Sequence, residues 1–211
     1  MRGLALPLRC HSRMPSLTNL TMVDKALYFL RQELNTYLKL KTGDDNKVNL
    51  TAIVDQTGRA VVPDTSIGMM MVNVEEERMY RSQAPQTVIN NGQYAFANPE
   101  LKLNIYVVFA ANHTDHREAL VLLSYVVQFF QSKNVFDNQT SPQLGDGIEM
   151  LMVDLFSLSF EQQNQLWASL GAKYMPSVVY RIRMLIINEG LASAVAPAVT
   201  EIDSAFAENR E

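Results

Sequence analysis

Leu166 to Ile187 reads LWASLGAKYMPSVVYRIRMLII, and two periodicities meet inside it. The helical end carrying the only tryptophan stops at Gly171, a residue suited to the left-handed position that follows a helix. Beyond Pro176 the pattern switches to a period of two. Val178, Tyr180, Ile182, Met184 and Ile186 share one face of a strand, and Val179, Arg181, Arg183, Leu185 and Ile187 share the other. One face is apolar throughout, so the strand belongs inside a sheet. The other face carries two arginines with a choice of fates. They lay their stems over apolar surface and keep their heads in water, or their guanidinium forks hold carboxylates across an interface. Glu75, Glu76 and Glu77, on the same or an adjacent subunit, are candidate partners.

Working outward, Ser159 followed by Gln162 forms a capping box that opens the tryptophan helix. A strand from Ile148 to Phe156 precedes it. Asp115 and Glu118 make a second, capping-box-like pair at the head of a helix that runs to about Ser132. That helix has only Ser124 and Gln128 as polar interruptions in its middle, so it is expected to be covered on most sides. Leu101, Leu103, Ile105, Val107 and Phe109 alternate in a strand before it. Ile67 to Arg78 is another strand, whose continuous run Met69-Met70-Met71-Val72 fits burial on both faces. It ends in the acidic Glu75-Glu76-Glu77 and then Arg78. Lys47 to Val54 alternates as a first strand, and Gln56-Thr57-Gly58 suits a hairpin-like reversal. Before that, Val23, Ala26, Leu27, Leu30, Leu34 and Leu38 form a helical stripe capped by Thr21 with Asp24 near its start. The helix ends at Gly43 and Asp44.

The resulting order, αβββαβαβ, predicts an α+β domain over residues 21–189: a mixed, mostly antiparallel sheet of about five strands with helices packed on it. Residues 1–20 read as a flexible leader, or as translation from a start upstream of Met14 or Met22. Residues 190–211 are an Ala-rich tail. Ser82 to Pro99, rich in Gln, Asn, Pro and Gly, reads as a long polar loop. No internal repeat is visible.

Composition narrows the function classes. The net charge is -4, and Lys and Arg are scattered, so nucleic acid has no electrostatic footprint. The single cysteine, Cys10, allows no disulfide within the chain, which fits a reducing compartment. The apolar run Leu4 to Leu8, broken by Pro7, is too short for a secretory signal. Ala119 to Phe130 falls short of the roughly 20 apolar residues of a membrane helix, so no direct membrane insertion is expected.

Chemistry is sparse. His113-Thr114-Asp115-His116 is the one cluster able to supply metal ligands, but it sits at a helix start where Asp115 has a capping role. A metal-dependent enzyme using His113, Asp115 and His116 is the alternative reading. Glu75, Glu76 and Glu77 do not converge as an acid/base pair, because neighbours on a strand point to opposite faces. Neither GxGxxG nor GxxxxGK[ST] is present to cradle phosphates, and no GxSxG elbow presents a serine nucleophile. No catalytic residue, metal or cofactor is therefore assigned, and a non-enzymatic protein is expected.

Three blocks then stand out together: MVNVEEERMYR (71–81), LNIYVVFAANHTDHREALVLLSYVVQFFQSKNVF (103–136) and LSFEQQNQLWASLGAKYMPSVVYRIRML (158–185), with LYFLRQELNTYL in the opening helix. In this order and spacing the chain resembles the cap, or tail-terminator, proteins of extracellular contractile injection systems of the antifeeding-prophage and virulence-cassette type, over approximately residues 21–187. The resemblance implies a phage tail-terminator-like fold and a structural role in a phage-tail-like particle assembled in the cytoplasm. It implies a homohexameric ring that terminates the inner tube and anchors the last sheath layer, with the inner tube protein and the sheath protein as partners. A monomeric adaptor of such a particle is the alternative within the same setting. Glu75, Glu76, Glu77, Arg78, Arg181 and Arg183 are the interface candidates.

Overall fold

The computed structural model describes residues 22–77, 86–90, 93–97, 101–144, 147–186 and 195–197. Its centre is a six-stranded sheet with the order β1-β2-β5-β8-β7-β6. The strands are β1 (Val48–Leu50), β2 (Ser66–Glu76), β5 (Leu101–Asn112), β6 (Val135–Asp137), β7 (Ile148–Leu155) and β8 (Ser177–Ile186). A second sheet joins β3 (Gln86–Asn90), β4 (Gln93–Ala97) and β9 (Val195–Pro197) in the order β3-β4-β9. The helices are α1 (Met22–Thr42), α2 (His116–Ser132) and α3 (Phe160–Leu170). This is the expected mixed, mostly antiparallel α+β architecture.

The two periodicities of the opening stretch set the layers. The alternate residues Tyr180, Ile182 and Met184 face the main core together with Ile105, Val107 and Phe109 of β5. Helices α1 and α2 cover that face through Leu27, Leu30 and Leu34 and through Leu122, Val126 and Phe130, all buried. Aromatic edges interlock there: Phe29 meets Phe136 at 5.5 Å, and Phe109 meets Tyr180 at 5.8 Å. Each such side chain removed from water contributes about 1.5–3 kcal/mol.

The opposite face is covered over only part of its area. There Val108, Ala110 and Val179 pack against Trp167 of α3 and against Ile53 and Val62 of the segment that links β1 to β2. This segment explains one departure from expectation. β1 pairs with β2 in parallel, Val48 opposite Ile67, and not as a hairpin. A parallel pair requires a crossover, and residues 51–65 supply it by passing over the second face. The reversal at Gln56-Thr57-Gly58 does form, with Gly58 at φ +77, but it only returns Val54 to Ala60. The first strand is accordingly shorter than its alternation suggested.

Other differences are local. Helix α2 is not covered all round: Leu120 is 47% exposed, and Ser124 and Gln128 face outward on the same side. Its apolar surplus is satisfied by the sheet and α1, so it requires no neighbouring subunit. The Ser82–Pro99 stretch holds β3 and β4, where a polar loop was expected, and the Ala-rich tail supplies β9, which pairs Val195 with Ala95. Residues 1–21, including the leader, the Thr21 cap and Cys10, lie outside the described residues.

Two expected outcomes follow from this packing. The crossover presses on Gly68 so closely that a Cβ there would collide with Val62 Cγ2 and lie 3.0 Å from Ile53 Cδ1. Gly68→Ala should lower the urea-unfolding free energy by about 1–3 kcal/mol, the usual range for overpacking. Burial also pushes the Tyr180 phenol up to about 12, against an ordinary value near 10. The folded state therefore holds this proton where the unfolded chain has lost it. Stability should be full below pH 10 and fall as pH rises toward 12, a slope that Tyr180→Phe should reduce in pH-dependent unfolding curves.

Candidate functional site

On the open part of the second face, antiparallel register sets polar side chains in rows across four strands. Asn73, Tyr106, Arg181 and Asp154 are successive cross-strand partners on β2, β5, β8 and β7. Glu75, Asn104 and Arg183 form the next row. The sequence had put Arg181 and Arg183 on one face, and the structure does so. It also identifies what they hold within the chain, where the Glu75–Glu77 cluster is not their ion-pair partner. Asp154 Oδ2 accepts from Arg183 Nε at 3.1 Å and Nη2 at 2.5 Å, and lies 3.7 Å from Arg181 Nη2. One carboxylate thus serves two guanidinium groups.

The acids at the end of β2 are engaged with β5. The Tyr106 hydroxyl donates to Glu75 Oε2 at 3.0 Å, and Asn104 Nδ2 donates to Glu77 Oε2 at 3.2 Å. Burial, and then the bond to the Glu75 carboxylate, raise the Tyr106 pKa above its ordinary value, with Arg181 acting in the opposite direction. Glu75 and Arg181 therefore meet only through Tyr106. Arg78 lies outside the described residues. Asp154, Tyr106 and Asn104 were missed by sequence reasoning. Asp154 left a signal, since it is the one charged residue inside the apolar run Leu151 to Phe156.

Beside these rows the face turns apolar. Two adjoining hollows of about 240 and 340 Å³ share Phe156, Leu158, Leu166 and Val179, between α3 and the sheet. Phe156 stacks edge-on against Tyr106 at 4.9 Å, linking the hollows to the charged rows. Leu155, at the rim of the first hollow, is 56% exposed, and Phe160, the first residue of α3, is 92% exposed. Helix α3 is fixed there by the capping box read from sequence: Gln162 N–H donates to Ser159 Oγ at 3.2 Å, and Ser159 N–H donates to Gln162 Oε1 at 2.9 Å. Gly171 ends it at φ +64.

The His113–His116 cluster has local employment. Asp115 accepts from the Arg117 N–H at 2.8 Å as the cap of α2, and His113 Nδ1 accepts from the Asp115 N–H at 2.9 Å. No group of three or more His, Cys, Asp or Glu side chains among the described residues is placed to hold a metal. No helix among them is long and apolar enough to cross a membrane.

Comparisons with known proteins agree with the resemblance carried by the three sequence blocks. The family model described as the Pvc16 N-terminal domain matches residues 26–201. Among solved structures, the chain is similar to the sheath/tube terminator of the PVC extracellular contractile injection system in its extended state. The TM-score is 0.56 at 14% identity, covering 87% of this chain and 64% of that one. It also matches the tube-terminating cap of the anti-feeding prophage, with a TM-score of 0.48 at 16% identity, covering 88% of this chain and 61% of that one. The chain thus spans less than two thirds of the length of either structure. At these identities the first likeness is one of fold. No curated protein matches the chain.

The shared carboxylate makes a direct prediction. Asp154, Arg181 and Arg183 side chains are 32%, 35% and 43% exposed, so solvent screening keeps the cluster near about 1 kcal/mol. Asp154→Ala should cost about that much in denaturant unfolding at low salt. The loss should shrink in 1 M salt, where the Debye length falls to about 3 Å.

Proposed function

This chain belongs to the Pvc16 N-terminal domain family, and on that premise we propose that it is a non-enzymatic tube terminator of a contractile injection system. The observation that carries the reading is the family match itself, which runs from within α1 to beyond β9. The fold similarity to a sheath/tube terminator supports it. In this reading copies of the chain close into a six-fold ring on the end of the inner tube. The ring occupies the position where another tube ring would add, and it binds the last sheath layer. Assembly takes place in the producing cell's cytoplasm, and the partners are sister copies, the tube protein and the sheath protein.

A ring requires two unlike patches that meet around a closed cycle. The neighbouring ends of β7 and α3 offer such contrast within a short stretch of sequence: charged rows centred on Asp154, and exposed apolar side chains at the rim, Leu155 and Phe160. Two buried polar atoms in the rows, Arg181 Nε and Asn104 Oδ1, find no hydrogen-bond partner among the described residues. Unpaired buried groups of this kind cost about 1–3 kcal/mol each, so the charged rows are kept at some expense to the stability of the chain. Of the six interface candidates, Arg181, Arg183, Glu75 and Glu77 belong to this surface. Their charges are already committed within the chain, so the apolar rim is the cleaner place to test assembly.

Phe160→Asp adds an acid to the first turn of α3, where the helix dipole favours it, and removes a ring that touches little of its own chain. The isolated variant should unfold at the same denaturant concentration as the parent. Particles assembled with it, viewed by electron microscopy, should lack caps or carry tubes of uncontrolled length. Normally capped particles of normal length would remove the rim from the interface. A tip free of this chain in intact parental particles would overturn the terminator reading itself.

A further inference from the structure

The two edges of the large sheet are treated with care. At the β1 edge, the Asn35 side chain acts as a substitute strand: its Nδ2 donates to the Val48 carbonyl at 2.9 Å and its Oδ1 accepts the Val48 N–H at 2.8 Å. At the other edge the Asn134 carbonyl accepts the Val153 N–H at 2.8 Å, where β7 outruns β6. A third edge is less obvious. β1 pairs only with Ile67 to Met69, so β2 continues beyond it with β5 on one side alone. Among the described residues, no strand pairs with the outer side of Met70 to Glu75.

That exposed segment, MMVNVE, has a composition prone to strand addition. It contains no Lys and no Pro, and Met71 and Val74 are each 40% exposed. Such an edge is a template for pairing unless something blunts it. Two devices are present. The register shifts between Met71 and Asn73, a bulge that bends the edge. Next to the bulge, Asn73 Oδ1 accepts the Val74 N–H at 2.9 Å, while its Nδ2 donates to Glu75 Oε1 at 3.0 Å. The Glu77 N–H points inward, to the Lys102 carbonyl of β5 at 2.9 Å. Alternation along the strand therefore turns the Val74 N–H outward. Asn73 occupies the donor that an incoming strand would need first.

We propose that Asn73 is a latch on the outer edge of β2, which keeps that edge from pairing with the same edge of a second copy of this chain. The charge pattern selects that occupant. Two copies lying antiparallel about Asn73 place Glu75 of one opposite Met71 of the other and Val74 opposite Val72, so no acids face each other and apolar residues meet. Parallel pairing would align the acidic ends and is disfavoured. For a protein that must meet its sister copies in one geometry only, the latch suppresses a competing one.

The test uses the full chain, its Asn73→Ala variant, and Asn73→Ala combined with Val74→Pro, which deletes the outward N–H at a position where an edge strand accepts proline. Light scattering over a concentration series gives mass, and amide hydrogen exchange maps protection. In dilute Asn73→Ala, the Val74 amide should exchange about tenfold faster, the equivalent of one lost hydrogen bond. As concentration rises, that variant should form species of twice the parental mass, with new protection confined to residues 70–75. The double variant should return to the parental mass. Identical mass distributions for parent and Asn73→Ala overturn the proposal. So does added association that leaves the 70–75 amides unprotected or survives Val74→Pro.

Discussion

Ten consecutive cross-strand pairs join β5 to β8, from Leu101 opposite Ile186 to Ala110 opposite Ser177. Every other feature of the domain depends on that register. Because side chains alternate strictly, a slip of one residue would turn Tyr180, Ile182 and Met184 out of the core and bring Arg181 and Arg183 into it. The penalty for burying two unpaired guanidinium groups far exceeds that of any single lost contact, so the slip is closed to the chain. The same register delivers Arg181 to Asp154 and Tyr106 to Glu75. The core and the charged rows are two sides of a single constraint.

The legible part of the sequence was the part whose periodicity had one physical cause. In α1, β5, α2, β7 and β8 the regularly spaced apolar residues turn to the main core, so period and burial coincide. The capping box at Ser159 and the left-handed Gly171 are local rules obeyed locally. What escaped were the features that depend on distant segments. The parallel pairing of β1 is decided by where residues 51–65 cross, and no pattern within β1 carries it. β3 and β4 did leave a trace, because Asn91-Gly92 is a strong hairpin pair, but the surrounding Gln, Asn and Pro favoured a loop. The carboxylate that holds both arginines could not be chosen from sequence, since Glu75 to Glu77 and Asp154 were equally eligible until β7 was known to lie beside β8.

The domain divides labour between its faces. One face is sealed by α1 and α2 and gives the fold its stability. The other is sealed only where α3 and the crossover lie, and the remainder presents charge, an apolar groove and protruding side chains in close succession. A sheet with one finished and one unfinished face suits a part made to be built into something larger. Its unfinished half is held in register by ladder bonds and by the Asp154 fork, an ordering that the proposed assembly would not have to supply.

The small sheet has a topological consequence. Its strand β9 follows β8 in sequence, yet it lies against β4, in the excursion between β2 and β5, with Gln93 opposite Pro197. The exit from β8 is thereby tethered back to the stretch that interrupts the central ladder. Removing Val195–Pro197 would leave β3 as the one strand paired with β4 among the described residues. Val195–Pro197 is in this sense a clasp on an internal insertion, and changes to it reach structure encoded far upstream.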